Sequence, residues 1–482
     1  MKPWSIFLAV FALVFVSRLP FLGAGYGWDS DAWRLAADAR AIAETGRYAA
    51  SRFPGYPVPE LGLSLLWRAG LGGPWFLNGT SALMAALGAG LFALVLRRLG
   101  ARDAVFAAPD AVLGALALAS TPALYVMSTS SLDYAWAFGA SLAALYFSLE
   151  RRALPAALCL GLAIGCRIPT LAMVAPCGFL LAAPESPGAP ARGDRRLLAF
   201  LGLTLIVGAA CYLPALQASG TGFLRYYDHG YPSATLVVKK ATLDLFGALG
   251  SAAVAGGALV ALAGAVGRRR APSRTRAAAL PWAGPGIALG LLATLLPFLS
   301  LPYKAAYAIP VLPFVVILLA RGLTPRFFRI FCVALLVSPW VLHFHETGKI
   351  DDPPPSRPHL VIDRGGHRFV VDLLRGSVPA DYGRRLADMR YVGNAIARAR
   401  ALPGESVVVA TDWLAQIRLR LGGDALGGTH FVYLLSRGEL ESLRRRGVPV
   451  YYLAGGDDEN RQWQGVGLRE FGARPLDERT GS

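Results

Sequence analysis

Charged residues are scarce, at 16% of a 482-residue chain, where soluble globular domains carry about a quarter. That is too few to cover a soluble surface, and it excludes a soluble enzyme, a disordered chain and a coiled coil. Cysteine is sparse too. Cys159, Cys166, Cys177, Cys211 and Cys332 all fall in apolar segments, which excludes a disulfide framework or a cysteine zinc site. Apolar residues are abundant, at 54% of the chain with a mean hydropathy of +0.45. Nearly uncharged runs recur from residue 4 to about residue 342 and then stop. The pattern is that of a polytopic α-helical membrane protein followed by a soluble tail. The net charge of +17 then belongs to membrane topology, not to a nucleic-acid footprint.

A spanning helix needs about 20 mainly apolar residues. Such segments lie near residues 4–22, 75–96, 111–127, 132–149, 197–217, 243–266, 281–300, 303–320 and 327–343. The stretch Leu154–Ala183 is too long for one span and is broken at Arg167-Ile168-Pro169, which predicts two short elements. Cytoplasmic loops carry an excess of Lys and Arg. Counting two elements there puts Arg97, Arg98 and Arg102, Arg192, Arg195 and Arg196, and Arg268, Arg269, Arg270, Arg274 and Arg276 on the inside. Counting one would put the second and third clusters outside. The sequence thus predicts about eleven membrane helices, with the N-terminus inside and the C-terminus outside. The first run, Trp4 to Val16, continues through Arg18 to Leu22, which suits a retained spanning helix at least as well as a cleaved signal.

Residues 1–345 are therefore read as the membrane domain and 346–482 as an extracytoplasmic α/β domain, beginning after Asp351-Asp352-Pro353-Pro354-Pro355. The tail reads as a hairpin over His359–Leu374 around Gly365-Gly366, a helix over Ala380–Ala401, and strands at Ser406–Ala410, Phe431–Leu435 and Val448–Leu453. Ser436 and Glu439 have the spacing of a capping box. No GxGxxG or Walker motif occurs in it. His343-Phe344-His345-Glu346 is a weak metal candidate, because i and i+2 do not share a helix face. Asn78-Gly79-Thr80 is a formal glycosylation sequon placed too close to a membrane helix to serve as one.

Ionisable residues in lipid are costly and mark function. Asp133, Arg167, Asp244 and Lys304 all fall near predicted helix ends, which places the polar work at the outer face. The densest cluster is the first outside loop, Tyr26-Gly27-Trp28-Asp29-Ser30-Asp31-Ala32-Trp33-Arg34. Its two carboxylates can hold a divalent cation, provide a general base with a partner charge, or simply cap the helix that follows. That helix has Ala32, Leu35, Ala36, Ala39, Ile42 and Ala43 at amphipathic spacing, and is expected to lie on the membrane surface. The loop returns through Ser51-Arg52-Phe53-Pro54-Gly55-Tyr56-Pro57-Val58-Pro59-Glu60, a proline-stiffened turn.

Together these features resemble the GT-C superfamily of polyprenyl-phosphate-sugar-dependent glycosyltransferases, in particular its protein O-mannosyltransferase and aminoarabinose transferase branch. The resemblance covers roughly residues 1–345. It rests on the acidic first loop, the surface helix, the Pro54-Gly55-Tyr56-Pro57 return, Ser131-Leu132-Asp133-Tyr134, Gly161 to Arg167, and Tyr303-Lys304-Ala305-Ala306-Tyr307 leading to Pro310 and Pro313. Asp29-Ser30-Asp31 stands where the family pattern has Asp-Glu and an aromatic residue. The resemblance implies an inverting enzyme of the inner membrane that passes a sugar from a polyprenyl phosphate to a cell-envelope acceptor on the outer face. It implies Asp29 as base with Asp31 and Asp133 beside it, and Arg167, Arg225, His229, Lys304 and Tyr56 as substrate-binding candidates. A divalent cation on Asp29 and Asp31 is the one cofactor left open. The partners are the donor lipid, an acceptor and membrane lipid, with no nucleic acid. A lipid or polysaccharide transporter is the competing class.

Overall fold

The computed structural model describes residues 2–103, 108–183, 194–224, 230–270, 283–347, 358–364, 367–402 and 404–476. A helix stands at every apolar segment expected to be one. Helix α1 (Pro3–Arg18) begins with proline in its first turn, where the missing N–H costs nothing, and is followed by α2 (Ser30–Thr45), α3 (Pro57–Arg68) and α4 (Pro74–Asp103). The segment expected over 111–127 is split by Pro122 into α5 (Ala108–Ala119) and α6 (Pro122–Met127), and α7 (Asp133–Leu149) follows. The expected break at Arg167-Ile168-Pro169 is present. Helix α8 (Ala153–Cys166) stops there, a 3₁₀ turn spans Ile168–Met173, and α9 (Val174–Ala182) resumes.

Next come α10 (Asp194–Cys211), α11 (Leu213–Ser219), α12 (Ala234–Ala241), α13 (Leu243–Arg270, bent at Gly247) and α14 (Ala283–Ser300). A 3₁₀ segment, Ala305–Val311, leads into α15 (Leu312–Gly322), and α16 (Pro325–Val337) closes the series. Among the described residues four helical segments are long and apolar enough to cross a bilayer alone, and a fifth if the bent pair Arg195–Cys211 and Leu213–Gly222 counts as one span.

Two expectations are corrected here. The last apolar segment does not run helical to 343. Helix α16 ends at Val337, and strand β1 (His343–Thr347) takes over, so His343 to Glu346 belong to a sheet. Hydropathy continues past the point where the backbone turns at Leu342, whose φ is 59°. Helix α2 does not bury its apolar face in lipid. Ala32, Trp33, Leu35, Ala36, Ala39 and Ile42 are buried in protein, because α3 packs along one side of the helix and the C-terminal part along another.

The C-terminal part holds two sheets. Strand β1 pairs antiparallel with β3 (His367–Asp372), which pairs antiparallel with β2 (His359–Arg364). The expected Gly365-Gly366 turn of this hairpin lies outside the described residues. Helix α17 (Ser377–Arg400) follows, then a five-stranded sheet in the order β5-β6-β4-β7-β8. Its strands are β4 (Ser406–Val409), β5 (Ala425–Leu426), β6 (Thr429–Val432), β7 (Val450–Tyr452) and β8 (Arg474–Pro475). Strands β6, β4, β7 and β8 are parallel, and β5 runs antiparallel on the edge. Strand β6 starts two residues before the expected Phe431.

The helices α18 (Leu414–Leu421), α19 (Arg437–Arg445) and α20 (Gly456–Gln464) complete the unit. Val408 packs with Val392, Ile396 and Ile417 on one face, and Val407 and Val409 pack with Leu440 and Leu468 on the other. That is the two-sided burial a central parallel strand requires. The capping box at α19 is present with both its hydrogen bonds.

Candidate active site

The first loop is held down before its acidic residues begin. The amide of Asn78 donates to the carbonyls of Leu22 (2.7 Å) and Gly25 (2.8 Å) and accepts from the Ser131 hydroxyl at 2.6 Å. This fully buried side chain is thus a structural strut, and the sequon is explained without a glycan. Gly27 fits because a Cβ there would fall 2.8 Å from Ala32 Cβ and 3.0 Å from Ser130 Cβ. Asp29 is the N-cap of α2, its Oδ1 accepting from the Asp31 backbone N–H at 3.0 Å. Gly46, with φ 70°, closes the other end of that helix.

Around this cap the chain assembles a row of alternating charge. Lys304, preceding the Ala305–Val311 turn, places its Nζ 2.5 Å from Asp29 Oδ2 and 2.5 Å from Asp31 Oδ2. Arg52 binds Asp31 through Nη1 and reaches Asp133 Oδ1 at 2.5 Å through Nη2. Arg167, the C-cap of α8, binds the other oxygen of Asp133. Asp133, at the first position of α7, is fully buried. The guanidinium of Arg167 lies 4.1 Å over the Tyr134 ring and 5.0 Å from that of Tyr307, and Arg52 stacks 4.3 Å over Tyr56. Delocalised guanidinium groups suit such faces.

Burial alone would push the Asp31 carboxyl up, but Arg52, then Lys304, and at longer range Arg34, outweigh it and hold it well below the usual carboxylate range. Burial alone would lower the Lys304 ammonium, and Asp29 and Asp31 reverse that, so it sits above its ordinary value. Buried ion pairs of this kind are costly to assemble and contribute little net stability. They are what a preorganised site requires.

The loop that presents Arg52 and Tyr56 is held by Glu60, fully buried in the first turn of α3. Its carboxyl accepts from Ser51 N (2.8 Å), Ser51 Oγ (2.7 Å), Tyr56 N (3.0 Å) and the Tyr48 hydroxyl. Burial pushes that carboxyl up against the pull of these donors.

The row borders a cavity of about 1980 Å³. Asp31, Arg52, Tyr56, Tyr134, Arg167 and Lys304 form its charged end. Ile168, Leu171, Val174, Leu296, Leu301 and Ile309 make an apolar wall, and Leu414, Arg418, Tyr433 and Trp463 of the C-terminal part make another side. Asp29 stands behind Lys304, just off this wall. Of the residues expected at the site, Asp29, Asp31, Asp133, Arg167, Lys304 and Tyr56 are brought together. Arg225 and His229 lie outside the described residues. Lys240 instead pairs with Asp244 at 2.7 Å.

Arg52, Tyr307 and Glu60 are the residues that sequence reasoning missed. Arg52 stands within the proline-stiffened return loop, Glu60 in the first turn of α3 that follows it, and Tyr307 follows Lys304 by one turn. A divalent cation between Asp29 and Asp31 would have to displace the Lys304 ammonium, and no group of three or more His, Cys, Asp or Glu side chains fit to hold a metal exists among the described residues. The donor set present is therefore that of a salt-bridged pair.

No known family profile matches the sequence, and no curated protein matches it. Solved structures share its fold. Two of them are ArnT from Cupriavidus metallidurans bound to undecaprenyl phosphate, 13% identical, and the same protein in the apo state, 14% identical. Each alignment covers 92% of this chain and 89% of the other with a TM-score of 0.56. The likeness is one of fold, and it agrees with the fold expected from the resemblance.

Proposed function

We propose that the protein is an inverting glycosyltransferase that takes a sugar from a polyprenyl phosphate and passes it to a cell-envelope acceptor. One observation carries this reading: three cations, Lys304, Arg52 and Arg167, gather at one end of a large cavity whose other walls are partly apolar helix. An amphiphile with an anionic head fits that division, and the ArnT structure of the same fold holds undecaprenyl phosphate.

In the proposed reaction an acceptor hydroxyl oxygen attacks the anomeric carbon as the bond from that carbon to the phosphate oxygen breaks. The hydroxyl proton passes to Asp29, and the bonding electrons leave with the lipid phosphate. Geometry and charge divide the roles. Asp31 is saturated by Arg52 and Lys304 and held low, which suits a fixed counter-charge more than a base. Among the described residues Asp29 contacts one cation, Lys304, which lines the cavity where Asp29 does not. A donor phosphate that engages the Lys304 ammonium would uncover Asp29 at the moment a base is needed. Arg52 and Arg167 supply the fixed positive charge that a leaving phosphate requires, and Asp133 holds those two guanidinium groups at their spacing.

The topology of this reading has about eleven membrane helices, N-terminus inside and C-terminus outside, in the inner membrane. It puts the charged row and the soluble domain, residues 346–482, on the outer face. The test uses purified protein in nanodiscs with a polyprenyl-phosphate sugar and an extract of envelope glycans. Release of polyprenyl phosphate that depends on the extract is expected. Movement of the lipid between leaflets without cleavage of its sugar would favour a transporter.

A further inference from the structure

One side of the same cavity, a cleft between α2 and the C-terminal part, is lined by residues that the donor reading does not use. One wall is a single stripe of α2: Asp31, Arg34 and Asp38, at i, i+3 and i+7, share a helix face. The opposite wall belongs to the C-terminal part, with Leu414 and Arg418 from α18, Tyr433 after β6, and Trp463 and Gln464 at the end of α20.

The two walls are pinned together at defined points. Arg34 Nη2 lies 2.8 Å from Asp412 Oδ1 and 3.2 Å from the Tyr433 hydroxyl, and Arg40 Nη1 donates to the Leu419 carbonyl at 3.4 Å. Both arginines that border the cleft are already matched, Arg34 by Asp412 and Arg418 by Asp424. Asp38 is not. Among the described residues its carboxylate has no hydrogen-bond partner, although it is half-buried in the cavity wall. Burial first, and then the Glu60 carboxylate, raise it to about 6 against the pull of Arg418 and Arg34. At the mouth, Trp463 is 52% exposed and Tyr433 40% exposed.

The cleft thus offers a hydrogen-bond acceptor without a donor, an amide, and the exposed ring of Trp463, the Tyr433 ring and hydroxyl being engaged by Arg34, with no unmatched positive charge among the described residues. An anionic ligand is disfavoured by Asp38. A pyranose ring has an apolar face that packs on aromatic rings and hydroxyl groups that donate to a carboxylate, and it fits both features at once. We propose that this cleft is the acceptor subsite and that it takes an uncharged carbohydrate chain, one ring packed on Trp463 and one hydroxyl donated to Asp38. The proposal rests on the glycosyltransferase reading and names its acceptor class. It places the soluble domain beside the acceptor and the charged row beside the donor.

The test uses the full-length protein in nanodiscs and saturation-transfer NMR with three probes, mannotetraose, galactotetraose and chitotetraose, each offered free and also anchored to a lipid in the disc. At least one is expected to receive saturation. Trp463→Ala and Asp38→Asn should each cut that signal by roughly fivefold, the size of one lost ring contact or hydrogen bond. Asp38→Asn is nearly isosteric and Trp463 is a surface residue, and an unchanged unfolding temperature checks that both fold. A signal from free chains identifies a glycan acceptor, and a signal only from anchored chains a glycolipid headgroup. Either supports the subsite. No saturation of any tetrasaccharide, equal signals in both variants, or a response confined to a Ser/Thr-rich peptide would overturn it. Undecaprenyl phosphate binding is measured on the same discs. Its loss would sink the donor reading while leaving the sugar result to stand or fall separately.

Discussion

Lys304 and Asp29 are 275 residues apart in the chain and meet at 2.5 Å, the ammonium of one closing the helix cap formed by the other. That contact joins the first loop to the turn after α14, and among the described residues it is the one place where the proposed base and a proposed donor-binding cation touch directly. Replacing Lys304 by Ala leaves Asp29 without its cation while Asp31 keeps Arg52, and removes one charge-assisted bond to a phosphate. Undecaprenyl phosphate affinity, measured by titration in nanodiscs, should fall about tenfold to a hundredfold, since such bonds are worth about 1.5–3 kcal/mol. Unchanged affinity and turnover would make Lys304 a structural tie.

Asp29→Asn separates chemistry from capping. Asparagine caps a helix about as well as aspartate, so α2 should persist and the variant should fold and bind donor lipid. An amide cannot accept the acceptor's proton, and a general base is worth about 10²- to 10⁴-fold, so transfer should fall at least about a hundredfold. Asp31→Asn should lose less. If single-turnover rates show the larger loss in Asp31→Asn, the carboxylate that borders the cavity is the base and Asp29 its support.

The acid limb of stability should carry the mark of Asp31. Its folded carboxyl lies below the ordinary value, so its contribution is fully present above about pH 4 and is lost as pH falls from there through the folded value. The groups facing it are Arg52, Lys304, Arg34 and Asp29. Scanning fluorimetry in detergent should show the unfolding temperature of the wild type dropping more steeply between about pH 5 and pH 3 than that of Asp31→Asn. Parallel curves would mean that the pair contributes no proton linkage.

Sidedness is checked by fusion. A reporter active only outside the cytoplasm should be active when fused after Glu346 and silent when fused at Arg270. Reversed activities would overturn the topology read from the arginine clusters and move the charged row to the inner face.

Much of this site was legible because its acids and Lys304 sit in local patterns: a carboxylate before an amphipathic run, or a cation in a tight turn between two apolar segments. The break at Arg167-Ile168-Pro169 was legible for the same reason, since proline and a charge interrupt an apolar run wherever it folds. Arg52 was not, because its partners Asp31 and Asp133 are set by how α2, α3 and α7 pack, and no periodicity encodes that. Glu60 was read as part of a loop, since the acceptor role of a buried carboxylate shows only when the loop folds back on it. The end of α16 was misplaced because the apolar run goes on through Trp340, Val341 and Leu342, whereas the backbone leaves the helix after Val337 and turns at Leu342 before the polar strand β1 begins. The C-terminal part's share in the cavity wall was the least legible, because the contact of α18 with α2 joins residues nearly four hundred positions apart.

The row Asp29, Lys304, Asp31, Arg52, Asp133 and Arg167 sums to zero charge. A sugar phosphodiester entering it adds one negative charge, whereas the phosphomonoester left after transfer carries between about one and a half and two. The same three cations therefore grip the spent lipid harder than the loaded one. In a pocket balanced this way the uphill part of the cycle is emptying it, and fresh donor must compete for a seat that its own product prefers.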